Sequence, residues 1–266
     1  MDKEIESSFT TATRILLSKP LSGLERYAAW LGQHVPLPYA ARSALSGKEV
    51  WVAPEQYFLG RRFNPKRIIS MDEIQQIPPQ RTTPEQLEAL DVLGVVKQVV
   101  MPHAYYCGNF RYRTYSDVGR ASGTGDVSHV DMVEDVYHNT KNVAYSNCIL
   151  YDNQAVFGCH NLTCSQFCIH AYNCNRVVRC FEVEGCNDCS DAYFCHNCEG
   201  LQECMFCFNV KSKRYAIGNV EVGRERYLQI KKLVLEQISG RLEKDGKLAW
   251  SIFNVGRHQA NAPAKK

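Results

Sequence analysis

The rhythm of residues 150–207 constrains the fold more than any other feature of the chain. Every third position from Leu150 is apolar or cysteine, with only Asn153 and Ser165 as exceptions. Ten of the eleven cysteines in this window fall in that register, Cys164 standing outside it. An α-helix turns roughly 100° per residue, so a stripe at every third residue drifts by about 60° per step and circles the helix. A 3₁₀-helix has the right period but seldom runs beyond a few residues. Polyproline II has it too, yet no proline lies between His103 and Ala262. What remains is a solenoid of short extended segments and corners, whose inward side chains stack from coil to coil.

Cysteine spacing suggests the coil length. Cys168, Cys186 and Cys204 lie eighteen residues apart, as do Cys180 and Cys198, and Cys189 and Cys207. Eighteen residues per coil would stack like on like, against a competing coil of twelve at which aromatic–cysteine segments recur. The expected core ladder is Cys159, Cys168, Cys174, Cys180, Cys186, Cys189, Cys195, Cys198, Cys204 and Cys207. Asn161, Asn173, Asn175, Asn187, Asn197 and Asn209 suit the corners, because Asn tolerates left-handed backbone. The fold class is therefore mainly β: a cysteine-lined β-solenoid with a helical N-terminal region and a C-terminal capping helix. Four regions are expected: helical and irregular over 1–94, solenoid over 95–222, capping helix and docking segment over 223–256, and a disordered tail over 257–266.

The flanks support this division. Residues 4–33 carry an amphipathic apolar pattern broken at Pro20, and 34–80 are proline-rich around short runs such as Val50-Trp51-Val52. Thr83-Pro84-Glu85-Gln86 reads as a helix start with a capping box, and Gly94 as its end. From Val95 the texture predicts β-structure, with the solenoid coils beginning near Val130 as polar, cysteine-poor turns. Aromatic and basic residues interleave at Tyr105, Tyr106, Arg111, Tyr112 and Arg113, as on surfaces that stack on bases or sugars. Residues 119–126 read as a glycine-rich loop without the lysine of a phosphate loop. A helix is expected over 224–239, with Tyr227, Ile230, Leu233, Val234 and Ile238 on its apolar stripe and Gly240 behind it. Leu248, Trp250, Ile252 and Phe253 would dock back on the body.

Charge is uneven. Residues 150–210 hold seven acids and two arginines, net −5, while 211–266 hold thirteen Lys/Arg and five acids, net +8. That basic C-terminal region suits self-association, a protein partner or a nucleic acid. The acidic start, MDKEIESS, lacks an apolar signal core, and no run reaches the roughly 20 apolar residues of a membrane span, so no membrane partner and a cytoplasmic location are expected. Thiols stay reduced there, which favours buried thiols or metal ligands over disulfides such as a stacked Cys186–Cys204 pair.

The run Cys186-x₂-Cys189-x₅-Cys195-x₂-Cys198-x₅-Cys204-x₂-Cys207, followed by Phe208-Asn-Val-Lys-Ser-Lys-Arg214-Tyr215-Ala-Ile217-Gly-Asn219 and Arg224-Glu-Arg-Tyr227, resembles the cysteine-rich repeat proteins of metagenomic bacterial and large tailed-phage sequences. The resemblance covers about residues 140–232. It implies no assigned activity, and a phage origin would imply a virion component.

Three functional readings follow. The first is a non-enzymatic structural or interaction module, needing no cofactor, in which small buried thiols fill a narrow core. The second is a zinc-stabilised adaptor with Cys186, Cys189, Cys195, Cys198, Cys204 and Cys207 as its thiolate ligands, touching nucleic acid through the basic region. The third is a hydrolase or glycan-processing enzyme, which needs a cleft with paired carboxylates; Asp126, His129 and Asp131 form one acid–base or metal cluster to test.

Overall fold

The computed structural model describes residues 2–54, 64–149, 151–162, 164–165, 168–170, 172, 176–185 and 189–255, the side chains of 161–165 and 176 excepted. The chain forms a β-solenoid of about eight turns, flanked by N-terminal helices and a C-terminal helix. Its first strand is Phe110–Val118, followed by the long winding strand Gly123–Ile149.

The coil holds twelve residues, not eighteen. Phe157, Ile169, Phe181 and Tyr193 are successive ladder partners, and the column continues through Met205 to Ile217. A three-residue period sets the length of one side of the coil; it leaves the number of sides open. Left-handed backbone recurs at Asp191, Phe194, Asn197, Gly200, Glu203, Phe206, Asn209, Ser212, Tyr215 and Gly218, one corner in every three residues. Twelve residues with a corner every third make four sides. The expected Asn corners hold at Asn197 and Asn209, while Asn173, Asn175 and Asn187 lie outside the described residues.

Each triplet therefore has a ladder residue, a left-handed corner and an inward residue. Left-handed backbone costs an L-residue roughly 1–2 kcal/mol, and hydrogen bonds between coils oppose that cost. Corner amides donate to the ladder carbonyl of the preceding coil, as in Phe194 N–H to Phe181 O (2.9 Å), Phe206 to Tyr193 (2.9 Å) and Asn209 to His196 (3.0 Å). Ladder amides donate the other way, as in Phe181 to Ala192 O (3.0 Å) and His196 to Cys207 O (2.9 Å).

The inward residues line a narrow core. Val130, Val143, Val156, Cys168, Cys180, Ala192, Cys204 and Ala216 are all fully buried and belong to one apolar cluster, which also holds Cys159, Cys189, Cys195, Cys198 and Cys207. Cys174 and Cys186 lie outside the described residues. The expected Cys186–Cys204 stack involves Cys186 and so lies outside the described residues as well. Cys107, Cys148, Cys159, Cys195, Cys204 and Cys207 are free thiols.

One side of the column is apolar on its outer surface, and the helices cover it. Phe157, Ile169, Phe181, Tyr193 and Met205 pack with Phe9, Leu16, Tyr27 and Trp30 in the largest core cluster. The N-terminal helix Lys3–Leu17 buries Ile5, Phe9, Ala12, Leu16 and Leu17 there, and the Tyr193 hydroxyl donates to Leu16 O at 2.9 Å. The helix starts at Asp2, whose carboxylate accepts from the amides of Glu4 (2.8 Å) and Ile5 (3.2 Å). Asp2→Ala should therefore cost about 1 kcal/mol in urea unfolding; an unchanged midpoint would show that this cap is idle.

Several segments differ from expectation. Thr83 and Gln86 do form the capping box, but two short helices follow, Pro84–Glu88 and Val92–Val95, the second capped by Asp91 through Gly94 N–H. Val96–Val100 continues in helical form to His103 instead of turning to β-structure, because no described segment pairs with it as a strand while the Asp91 cap starts a helix through it. Residues 119–126 are not a loop but span the join of the first two coils, Ala121 pairing with Val133 and Gly123 with Phe110. The C-terminal helix runs Arg224–Asp245, through Gly240, and ends at Gly246 with φ 68°. It buries Tyr227, Leu235, Ile238 and Leu242, whereas Leu233 is 58% exposed. The last solenoid strand, Arg214–Ile217, is covered by the antiparallel return Val220–Glu221 before that helix begins. Leu248 and Ile252 are buried against the body, and Trp250 packs on Phe194 with ring centroids 4.5 Å apart. Residues 257–266 lie outside the described residues.

Candidate functional site

The core thiols follow one bonding rule. Cys195 Sγ lies 3.4 Å from Tyr193 O and 3.8 Å from Cys204 O; Cys198 Sγ lies 3.1 Å from His196 O and 3.3 Å from Cys207 O. Cys204 and Cys207 repeat the arrangement with the carbonyls two residues back and nine residues ahead. A weak S–H donor thus meets carbonyl lone pairs that the coil ladder leaves free. Its hydrogen bond with Cys207, and then burial, hold the Cys195 thiol well above its ordinary acidity range. The expected zinc set includes Cys186, so the described residues hold only part of it. Among them, Cys189, Cys195, Cys198, Cys204 and Cys207 form no trio of converging ligand atoms.

Among the described residues the trio that converges is Asp2, Asp117 and His129, not Asp126, His129 and Asp131. His129 Nδ1 lies 3.2 Å from Asp2 and 3.8 Å from Asp117. Asp126 instead accepts from Thr114 Oγ1 (2.8 Å) and Arg113 (3.3 Å), and Asp131 is clamped by Arg120. Burial opposes ionisation of Asp2, but hydrogen bonds from His129 and two helix amides outweigh it and keep the carboxyl below its ordinary range. Both carboxylate functions serve to pin the helix start to the second coil.

The interleaved aromatic–basic stretch is divided by the fold. Arg67 donates to the Tyr105 hydroxyl (2.9 Å), Tyr106 sits in the short strand Tyr106–Gly108 beside Ile68, and Arg111 donates to Ala121 O (3.0 Å). Tyr112 and Arg113 are exposed, with the guanidinium 5.1 Å from the ring centroid. Alternation along one strand does not reveal which side a neighbouring segment will cover.

Past these residues the outer surface forms a groove of about 630 Å³. Four successive coils contribute its lining, through residues 114–116, 126–128, 138–139 with 141, and 151–152. Here the register departs from twelve. Lys141 pairs with Gln154 and Ala144 with Phe157, thirteen residues on. The extra residues are absorbed where two left-handed residues occur in succession, His138–Asn139 and Tyr151–Asp152. Such bulges re-aim side chains. The triplet of Tyr151 lies two sides before that of Phe157, so the groove is across the column from the helix-covered side.

The lining is ordered. The His138 and Tyr151 rings stack at 4.9 Å with an interplanar angle of 7°, and Asn139 Nδ2 donates to Asp152 Oδ1 at 2.8 Å. Tyr115 and Tyr151 each remain 54% exposed. Hydrogen bonds from Thr114 hold the Asp126 carboxyl below its ordinary range. The carboxyls pushed up toward neutral pH are elsewhere: burial raises Glu134 and Glu182 each to about 8. Sequence reasoning missed His138, Asn139, Tyr151 and Asp152. The available signal was a shift in spacing from twelve to thirteen, visible only once the twelve-residue coil is known.

No family model matches the chain, and no match to a curated protein or a solved structure was found. No described helix is long and apolar enough to cross a membrane.

Proposed function

We propose that the chain works as a non-enzymatic structural or interaction module, an assembly component built on a cysteine-cored solenoid. The observation that carries this reading is the bonding of Cys195, Cys198, Cys204 and Cys207. Their reactive atoms are buried and turned to backbone carbonyls, tier after tier. A nucleophile or catalytic thiolate requires an accessible, electropositive setting, and a zinc ligand requires three partners beside it. These thiols are placed as small core residues whose polar bonds are met inside the coil, by carbonyls and by the hydrogen bonds of Cys195 and Cys204 to Cys207, which draw that thiol below its ordinary range. The resemblance to phage-associated repeat proteins supports a place in an assembly.

Zinc content and thiol reactivity test the reading together. Purified chain should carry well under one zinc per molecule, keep its thermal midpoint in chelator, and expose its core thiols to an alkylating reagent only on unfolding. Stoichiometric zinc, or one core thiol alkylated in the folded state far faster than the rest, would remove the proposal.

A further inference from the structure

The geometry points to the groove across the four early coils as a binding site for a neutral glycan. This rests on the reading of the chain as an interaction module and names what it takes up. Three features converge. First, Tyr151 is backed by the His138 ring and yet 54% exposed, a platform held in one orientation before a ligand arrives. Tyr115, equally exposed, stands in the same lining. The C–H faces of a pyranose pack on such rings, and the aromatic side chain supplies contact area at little conformational cost.

Second, the polar groups beside the rings suit hydroxyls. The Asn139 amide and the Asp152 carboxylate are locked to one another at 2.8 Å, and Asp126 is fixed by Thr114 and Arg113. Each of these groups has further lone pairs or N–H groups to offer. Third, the charge balance selects against polyanions. Two carboxylates, Asp126 and Asp152, face the groove with one lysine, Lys141, while Arg113 is already paired with Asp126. A nucleic-acid site needs an excess of cations to displace counterions, and this lining has none. The volume falls within the range of pockets that hold small ligands.

The groove also runs along the column axis, with one contribution from each of four coils. A linear oligosaccharide can therefore meet repeated contacts as it passes from tier to tier.

The test uses the full chain on an array of neutral oligosaccharides and polysaccharides, with oligo(dT) and heparin as polyanion controls. The wild-type chain is expected to retain at least one neutral glycan and neither polyanion. Tyr151→Ala and Tyr115→Ala should each weaken that binding about tenfold or more, with the thermal midpoint unchanged because both rings are exposed. Retention of no neutral glycan, retention of a polyanion in their place, or glycan binding unaltered in both variants would overturn the assignment. Those outcomes leave the module reading intact, since it stands on the thiols. Release of reducing ends from a bound glycan would do the reverse, keeping the ligand class and ending the non-enzymatic reading.

Discussion

Phe181→Ala is expected to destabilise the chain by about 3–5 kcal/mol, the range for removing a fully buried aromatic ring. The residue is 0% exposed and central to the apolar column. Its ring lies 5.5 Å from that of Phe194 and 6.1 Å from that of Trp30, so its loss opens a cavity between solenoid and helices. Neighbouring tiers limit collapse, because the coil spacing is held by the backbone ladder. Urea unfolding should show a lower midpoint with little change in slope. Tyr151→Ala, on the opposite side, should lose less than about 1 kcal/mol. Similar losses in the two variants would mean that the helical layer is not seated on this column.

Glu182→Gln is expected to stabilise the chain by about 2–4 kcal/mol at pH 9 and to change little near pH 4. Glu182 and His170 are each 1% exposed, with Nε2 and Oε1 3.9 Å apart. That separation is within ion-pair reach, but no hydrogen bond joins the two, and among the described residues neither His170 ring nitrogen has a partner. Burial therefore decides for both: it raises Glu182 to about 8 and, with the nearby His34, lowers His170 to about 3. We read the pair as neutral on both sides.

The pH dependence follows from proton counts. Between the ordinary carboxyl value and about 8, the folded state holds a Glu182 proton that the unfolded state has released, so stability falls as pH rises. Between about 3 and the ordinary imidazole value, the unfolded state binds a His170 proton that the folded state refuses, so stability rises with pH. The two slopes oppose one another at mildly acidic pH, and the Glu182 slope stands alone from there to about 8. Glutamine removes that slope while keeping an oxygen for the Ile252 amide, which donates to Glu182 Oε2 at 3.0 Å. Thermal midpoints of both proteins across this range give the answer. A gap that stays constant from pH 4 to 9 would show that Glu182 is ionised throughout.

Particular residues show how far the sequence could be read. The triplet rhythm exposed the solenoid and the inward placement of Cys168, Cys180, Cys195, Cys198, Cys204 and Cys207, because narrow cores admit only small side chains. It misjudged the coil, since cysteines eighteen apart, such as Cys180 and Cys198, also face inward, from different columns. The better marker was the series Phe157, Ile169, Phe181, Tyr193, Met205 and Ile217. Its members are unlike one another, so the twelve-residue spacing, which competes with eighteen in the sequence, is decided only by the pairing of successive coils.

The amino-acid sequence alone determined the repeat unit, because one inward residue in three is a local demand of short sides and tight corners. It also determined the cap at Thr83 and the helical character of both ends. The tertiary structure decided the number of sides per coil, which depends on bonds between residues twelve apart. It also decided which outer side the helices cover, and it brought His138, Asn139, Tyr151 and Asp152 together. Those four belong to two different coils, and their meeting depends on stacking that no local pattern encodes.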